Sequence, residues 1–572
     1  MRKGLAVILA LFVVTCREET REKQAYPKYG GLIFAPTPED DCLRQEHPPT
    51  TSEITRLLVY LVEENTGSVV QTYELLPSEA STLMTKEVTP GRYILKALAC
   101  NNNNIVFEGE SEPFSVDANR IYAPLVYMTR VGKPSCIGQG NSHPLVKDNR
   151  FQNDGRLAFG AMCSLDETHV VLAGGIRRVT PSPKGLFLEA GDELFVYSIR
   201  TGIFETVKDD EGFVVKLLEP RAMHRCAVVD KNRVVVFGGI KKAALVLPGT
   251  KYAGDVLDDV LPVNHMIEVV SLSGENTEVP SFTYQAALPS VDFREDLGIA
   301  VVAGGIGARK DVLQKIAVWE YKSGRVVEGD LKIPRFAGNA HILRTGQILL
   351  LGGGGGGEKN GVELAWIEDG QVSSIFSMDI TVPASFASSL LVKDDSHEAH
   401  ILLVSGVLYK DNGFSSASEP TVMILKLKGD GNVYGLENAQ VQDITLDTTL
   451  QGFTIPPFPS LLRIGDNAFL LNAFASRQDG LPVSCSDYLT KDVCSSEIIV
   501  LTLDREHGKL VQSERFSEYH LRVGGSTFAI KDSLAMVFGG IALDRGVQNP
   551  ILLSTGFAYP VAQTDKEVGC VK

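Results

Sequence analysis

The sequence predicts an all-β protein dominated by a β-propeller, and three observations predict it. A short apolar strand ending in Gly-Gly, or in a worn version of that pair, recurs seven times. A companion apolar strand, often opened by Arg, precedes each copy. A third strand follows each Gly pair, and in several copies a turn and a fourth strand come next. Self-similarity of this kind decides a fold before any single residue does, and four strands per unit make one propeller blade.

The clearest copies run from Arg221 to Gly239 and from Arg522 to Gly540. The Gly-Gly position falls at Gly174, Gly238, Gly304, Gly352, Ser405, Asn472 and Gly539, which predicts seven blades. Copies five and six replace the pair with Ser405-Gly406 and Asn472-Ala473. Third strands are read at Glu193 to Ile199, Ile316 to Tyr321, Thr421 to Leu427 and Ile498 to Leu503. The second strand is expected to line the crowded inner part of the ring, where Gly allows close approach and positive φ. The opening residues Arg156, Arg221, Arg335 and Arg522 are expected to bond backbone groups between blades.

These paired strands and Gly pairs resemble kelch repeats, whose period is about 50 residues with extra length in loops. The resemblance covers residues 156–572 and implies a kelch-like β-propeller. The fourth-strand Trp of that family is mostly missing, since the chain has only Trp319 and Trp366.

Residues 26–131 read as a small antiparallel β-sandwich. Leu57 to Val62 is a buried strand closed by Asn65-Thr66-Gly67, and Val69 to Leu75 is its hairpin partner. Pro90-Gly91 makes a tight turn before an alternating strand, and Phe114 to Val116 and Ile121 to Tyr127 complete the set. The Pro-Gly-x-Tyr stretch resembles prealbumin-like modules of bacterial surface proteins, which implies a spacer. Residues 132–155, rich in Pro, Gly, Asn and Ser, read as a linker.

At the N-terminus, Met1-Arg2-Lys3 precedes an apolar run from Gly4 to Val14, then Thr15-Cys16. This is the basic and apolar pattern of a signal peptide, residues 1–15. The run is too short to cross a bilayer, which takes roughly 20 apolar residues. A Cys directly after it resembles the lipobox of bacterial lipoproteins, although Val13-Val14-Thr15 departs from the usual residues. The resemblance implies lipid attachment at Cys16, with residues 16–25 a disordered tether and the protein held at the cell envelope, in the outer membrane or on the cell surface. Secretion or a free periplasmic form is the alternative.

The chain has nine Cys and a formal net charge of −15. Setting Cys16 aside leaves eight, which favours disulfides in an exported protein. Position suggests Cys485 with Cys494 in one loop, Cys136 with Cys570 across the two ends of the ring, and Cys42 with Cys100 in the N-terminal domain. Cys163 and Cys226 are left as a further pair or as buried thiols. The acidity argues against nucleic-acid partners, which need clustered Lys and Arg. Membrane contact is expected through the lipid anchor only.

No motif commits the chain to catalysis, and no catalytic residue, metal site or cofactor is assigned. Gly352 to Gly357 lacks the Gly-Lys-Ser/Thr of a phosphate loop. His397 and His400 lack zinc-protease spacing, and Asp255, Asp258 and Asp259 lack the calcium-loop pattern. Kelch-type rings include copper radical oxidases resembling galactose oxidase. His224 and His341 in equivalent first strands, with His520, are the ligands such an enzyme would draw on. The leading expectation is a binding scaffold that meets a protein or glycan through its loop face. Contact is expected at the long insertions Arg177 to Gly191, Lys241 to Val263 and Tyr409 to Pro420. The alternative is a carbohydrate-active or copper-dependent oxidase-like enzyme with its site at the propeller centre.

Overall fold

The structure is a computed structural model. It describes residues 32–34, 43–44, 54–76, 89–116, 126–138, 157–182, 185–245, 257–274, 280–354, 361–382, 386–410, 413–446, 458–477, 494–505, 507–518, 521–543, 550–553, 555–560 and 570. Every regular element among them is a β-strand. The chain divides into two compact units, one formed mainly by residues 54–128 and one by residues 34–53 and 129–571.

In the smaller unit, Arg56–Glu63 lies between Val69–Leu75 and Gly91–Asn101, antiparallel to both. Val59 and Leu61 on this strand are fully buried, as its apolar run demands. The described strands of this unit are linked in one hydrogen-bonded set of seven. Gly91–Asn101 is shared within it: its 11 residues pair with Asn104–Glu110 at one end and Phe114–Val116 at the other.

Among the described residues, the larger unit carries the repeats as seven sheets, called blades here. Blade 1 is Ala161–Ser164, His169–Ala173, Leu194–Ser198 and Ile203–Thr206. Blades 3, 4 and 5 repeat this four-strand order from Ser290–Arg294, Asn339–Ile342 and Ser388–Asp394. Blade 6 starts at Ser460–Arg463 and gains Leu43–Arg44 on its outer strand Lys509–Glu518. Blade 2 has three strands, Arg225–Asp230, Arg233–Phe237 and Ile267–Ser271. Blade 7 takes Ser526–Ile530, Leu534–Phe538 and Thr555–Pro560 from the C-terminal end. Its fourth strand is Ser135–Gly138, inside the stretch expected to be a linker.

The first strand of every blade neighbours the first strand of the next, and that of blade 7 neighbours that of blade 1. The first strand is therefore the innermost, not the second as its Gly pairs had suggested. Apolar side chains fill each gap between blades. Val171, Val234 and Val236 pack between blades 1 and 2. Ile137, Tyr197, Met536 and Phe538 pack between blades 7 and 1.

The Gly pairs act at these gaps. Gly174, Gly304 and Gly539 hold φ of 56°, 67° and 70°. A Cβ on them would lie 2.4, 2.1 and 2.2 Å from the carbonyl oxygens of Arg221, Arg335 and Leu157 in the next repeat. The same three carbonyls accept the N–H of Gly175, Gly305 and Gly540 at 2.7–2.8 Å. The link between blades thus runs through the backbone of the opening Arg, and the guanidinium turns back into its own blade. Arg221 donates to Gly238 O, His265 O and Glu268, and Arg335 donates to Gly352 O, Gly361 O and Glu363. Arg522 donates to Gly539 O and also reaches Glu518 at the end of blade 6. Arg156 lies outside the described residues. Where the Gly pair is absent, the second strand continues through a bulge, at Ser405/Val407 and at Asn472/Phe474.

Candidate binding face

One residue entering each first strand holds a positive φ: Phe159, Met223, Leu288, Ala337, Phe386, Phe458 and Gly524, at 50° to 70°. Six of the seven are not Gly, and left-handed backbone is unfavourable for such residues. Repetition shows what holds it in place. Phe159 N–H donates to Gly524 O, Met223 to Phe159 O, Ala337 to Leu288 O and Phe386 to Ala337 O, at 2.6–3.1 Å. These links run from blade to blade around the axis. Their side chains meet in one apolar cluster. Phe458 lies edge-on to Phe159 and Phe386 at 4.9 and 5.0 Å between ring centres. A Cβ on Gly524 would strike the Phe159 ring at 2.3 Å. At this end of the ring the axis is filled.

Two of the three insertions expected to be contact loops are strands that cover this cluster. Ile176–Ser182 pairs with Gly185–Ala190, and Ile240–Leu245 pairs with Leu257–Pro262. The two hairpins join through Leu186↔Leu245, Phe187↔Ala244, Leu188↔Ala243 and Glu189↔Lys242 into a four-stranded lid. Alternation decides its faces. Leu186, Leu188, Ala243 and Leu245 are buried in the axial cluster. On the opposite face Glu189 stands between Arg178 (3.4 Å) and Lys242 (2.8 Å), and the Lys242 ammonium lies 6.0 Å from the centre of the Phe187 ring. The bond from Lys242 holds the partly buried Glu189 carboxyl below its ordinary range. At the lid's base Arg177 pairs with Glu193 at 2.9 Å and Lys241 with Glu219 at 2.6 Å. The third insertion extends the second and third strands of blade 5 as a hairpin, with Tyr409 opposite Phe414.

The two candidate metal-binding histidines are not in matching register. His224 follows its positive-φ residue directly, and His341 lies four residues past its own. His224 packs on Gly174, with its ring carbon 3.0 Å from where a Cβ there would sit. Burial, then Arg221, holds it well below the usual imidazole range, against a backbone bond to Ala173. His341 Nε2 bonds Ser389 Oγ at 2.8 Å across the gap between blades 4 and 5. Burial, with help from Arg225, lowers its pKa to about 3. Both rings are neutral and belong to gaps between different blades. His520 and Asp255 lie outside the described residues. Asp259 pairs with Lys310 at 3.3 Å, and His400 sits 3.2 Å from Glu398 on a strand.

Cys163 and Cys226 form a disulfide between the innermost strands of blades 1 and 2, with Cα atoms 5.7 Å apart. Of the two options open for these residues, the bond is the one realised. Cys100 and Cys570 are also disulfide-bonded. Cys16, Cys42 and Cys485 lie outside the described residues, as do the side chains of Cys136 and Cys494. The positive-φ ring and the lid went unread in the sequence. The available signal was the residue after each ring position, which is Gly, Pro, Ala or His: Gly160, His224, Pro289, Gly338, Ala387, Pro459 and Gly525.

No family model and no curated protein matches the chain. Among solved structures it is similar to a fungal alcohol oxidase of the AA5 family in complex with copper. Identity is 13%, the TM-score is 0.45, and the match covers 76% of this chain and 77% of that one. It is also similar to YjhT, at 10% identity and a TM-score of 0.34, over 69% of this chain and 94% of that one. Identities this low speak to fold alone, and the oxidase's chemistry is not carried to this chain.

Proposed function

We propose that the protein is an envelope-anchored binding scaffold that meets a protein or glycan ligand on the lid side of its propeller. The lid carries this reading. The axis beneath it is filled with apolar side chains, so recognition at this end falls to the outward face. That face presents an aromatic ring beside a mixed charge ladder, Arg178–Glu189–Lys242 with Phe187. Ordered strands present it with little entropy left to lose on binding. An enzyme with its site at the ring centre is the poorer reading, because Phe159, Phe386 and Phe458 occupy that position at the lidded end. Anchorage rests on the lipobox-like Thr15-Cys16.

The test is site-specific photo-cross-linking in cells, with the reactive group at Arg178 on the lid or at Asp532 in a turn of blade 7. A discrete adduct from Arg178, absent from Asp532, supports the reading; sensitivity to protease or glycosidase then gives the ligand class. Equal or absent capture from both positions overturns it. Labelled palmitate incorporated by the wild type and not by Cys16→Ser supports the anchor, and equal labelling removes it.

A further inference from the structure

We propose that the Cys163–Cys226 disulfide is an oxidative lock for the lid, so that the binding face is fully ordered only after oxidation. The proposal rests on the lid being the binding face, and it concerns how that face is regulated.

Blades 1 and 2 are the pair that donates the lid hairpins, and they are also the pair joined by this bond. The central lid pairing, Leu186↔Leu245 to Glu189↔Lys242, requires the two blades to keep one spacing. Both salt bridges at the lid's base tie a hairpin to the chain near its own root, Arg177 to Glu193 and Lys241 to Glu219. Across the gap, Gly175 N–H donates to Arg221 O and Met223 N–H to Phe159 O. Blade 2 brings only three described strands to this junction. The disulfide supplies the covalent hold on the innermost strands, inside the apolar cluster of Val171, Val234 and Val236.

The ring contains its own comparison. Cys163 lies four residues past Phe159 and Cys226 three past Met223. His341 and Ser389 occupy the same places relative to Ala337 and Phe386. The blade 4–5 gap thus carries a hydrogen bond where the blade 1–2 gap carries a covalent one, and among the described residues no lid hairpin spans it.

Formation of the lock balances as thiol–disulfide exchange. Two protein thiols give up two protons and two electrons to a small-molecule or protein disulfide, which leaves as two thiols. Cys226 is the more accessible of the pair, being partly buried where Cys163 is 6% exposed.

The experiment is amide hydrogen exchange on the full chain, comparing wild type, wild type treated with a phosphine reductant, and Cys163→Ala/Cys226→Ala. Exchange at Leu186, Leu188, Ala243 and Leu245 is expected to quicken at least tenfold in the last two. Exchange at Leu349 and Leu403, flanking the blade 4–5 gap, is expected to stay within twofold. Unchanged lid exchange, or equal acceleration at both places, overturns the proposal. If the double variant fails to fold, Cys163→Ser/Cys226→Ser, which leaves a polar pair at the gap as His341 and Ser389 do and keeps the disulfides of Cys100 and Cys570, gives the same comparison. Exchange is read without ligand, so a failed lock leaves the cross-linking result standing, and failed cross-linking leaves the lock standing.

Discussion

Acidification should destabilise the propeller through His341, by an amount that its burial fixes. The imidazole is 5% exposed and its pKa is held at about 3, against 6.5 when unperturbed. A histidine with a depressed folded pKa contributes stability that is complete above its unfolded value. That stability is lost as pH falls toward the folded value, because the unfolded chain takes up a proton the native state refuses. Between pH 6.5 and 5 the loss is about 1.5 pH units at ~1.36 kcal/mol each, or about 2 kcal/mol. His341→Gln keeps a group able to bond Ser389 and removes the titration. The assay is urea unfolding at pH 7 and pH 5, followed through Trp319, which is 4% exposed in the wall between blades 2 and 3. Wild type should lose about 2 kcal/mol more than His341→Gln over this interval. His224, neutral for the same reason, is common to both proteins and drops out of the difference. Equal losses would refute the assignment of a buried neutral imidazole at this position.

Glu363→Ala leaves Arg335 charged and 2% exposed without its partner, and should cost about 3–5 kcal/mol by denaturant unfolding; Glu363→Ala with Arg335→Met should recover most of that. Gly539→Ala places a methyl 2.2 Å from Leu157 O at a φ of 70°, and should lower the melting temperature by several degrees, for a cost of about 3 kcal/mol. Ile137→Asp sets a carboxylate in the closed gap between blades 7 and 1, and should cost roughly 3 kcal/mol or more, with limited proteolysis opening first near Thr555–Pro560.

The repeats were legible because each Gly pair answers a local demand. Close approach of the next blade's carbonyl forbids a Cβ, and that demand recurs at nearly the same spacing. The seven sheets among the described residues fall where the Gly-Gly positions placed them, including Ser405 and Asn472, where a bulge takes over. The lid was not legible, since Leu186, Leu188, Ala243 and Leu245 look like ordinary strand residues of unpaired hairpins. Only a partner 50 or more residues away tells which face is inward. The role of Arg221 was misread for a related reason. Its carbonyl and its guanidinium do different work, and sequence names only the side chain. Ile137 was hidden in a stretch whose Pro, Gly and Asn content suggests a linker; composition averages over a strand of four residues.

The outer strand of blade 7 also bears on how the molecule is made. Gly138 pairs with Thr555, more than 400 residues further along the chain. During synthesis this early strand waits for a partner made more than 400 residues later, and until then it is an unpaired strand edge. Closing so long a loop is entropically slow rather than thermodynamically prohibitive. Edges left open during that wait invite pairing with other chains. A protein built this way should refold in two separable stages, sheet formation within blades and then ring closure, with only the second sensitive to the segment around Ser135–Gly138.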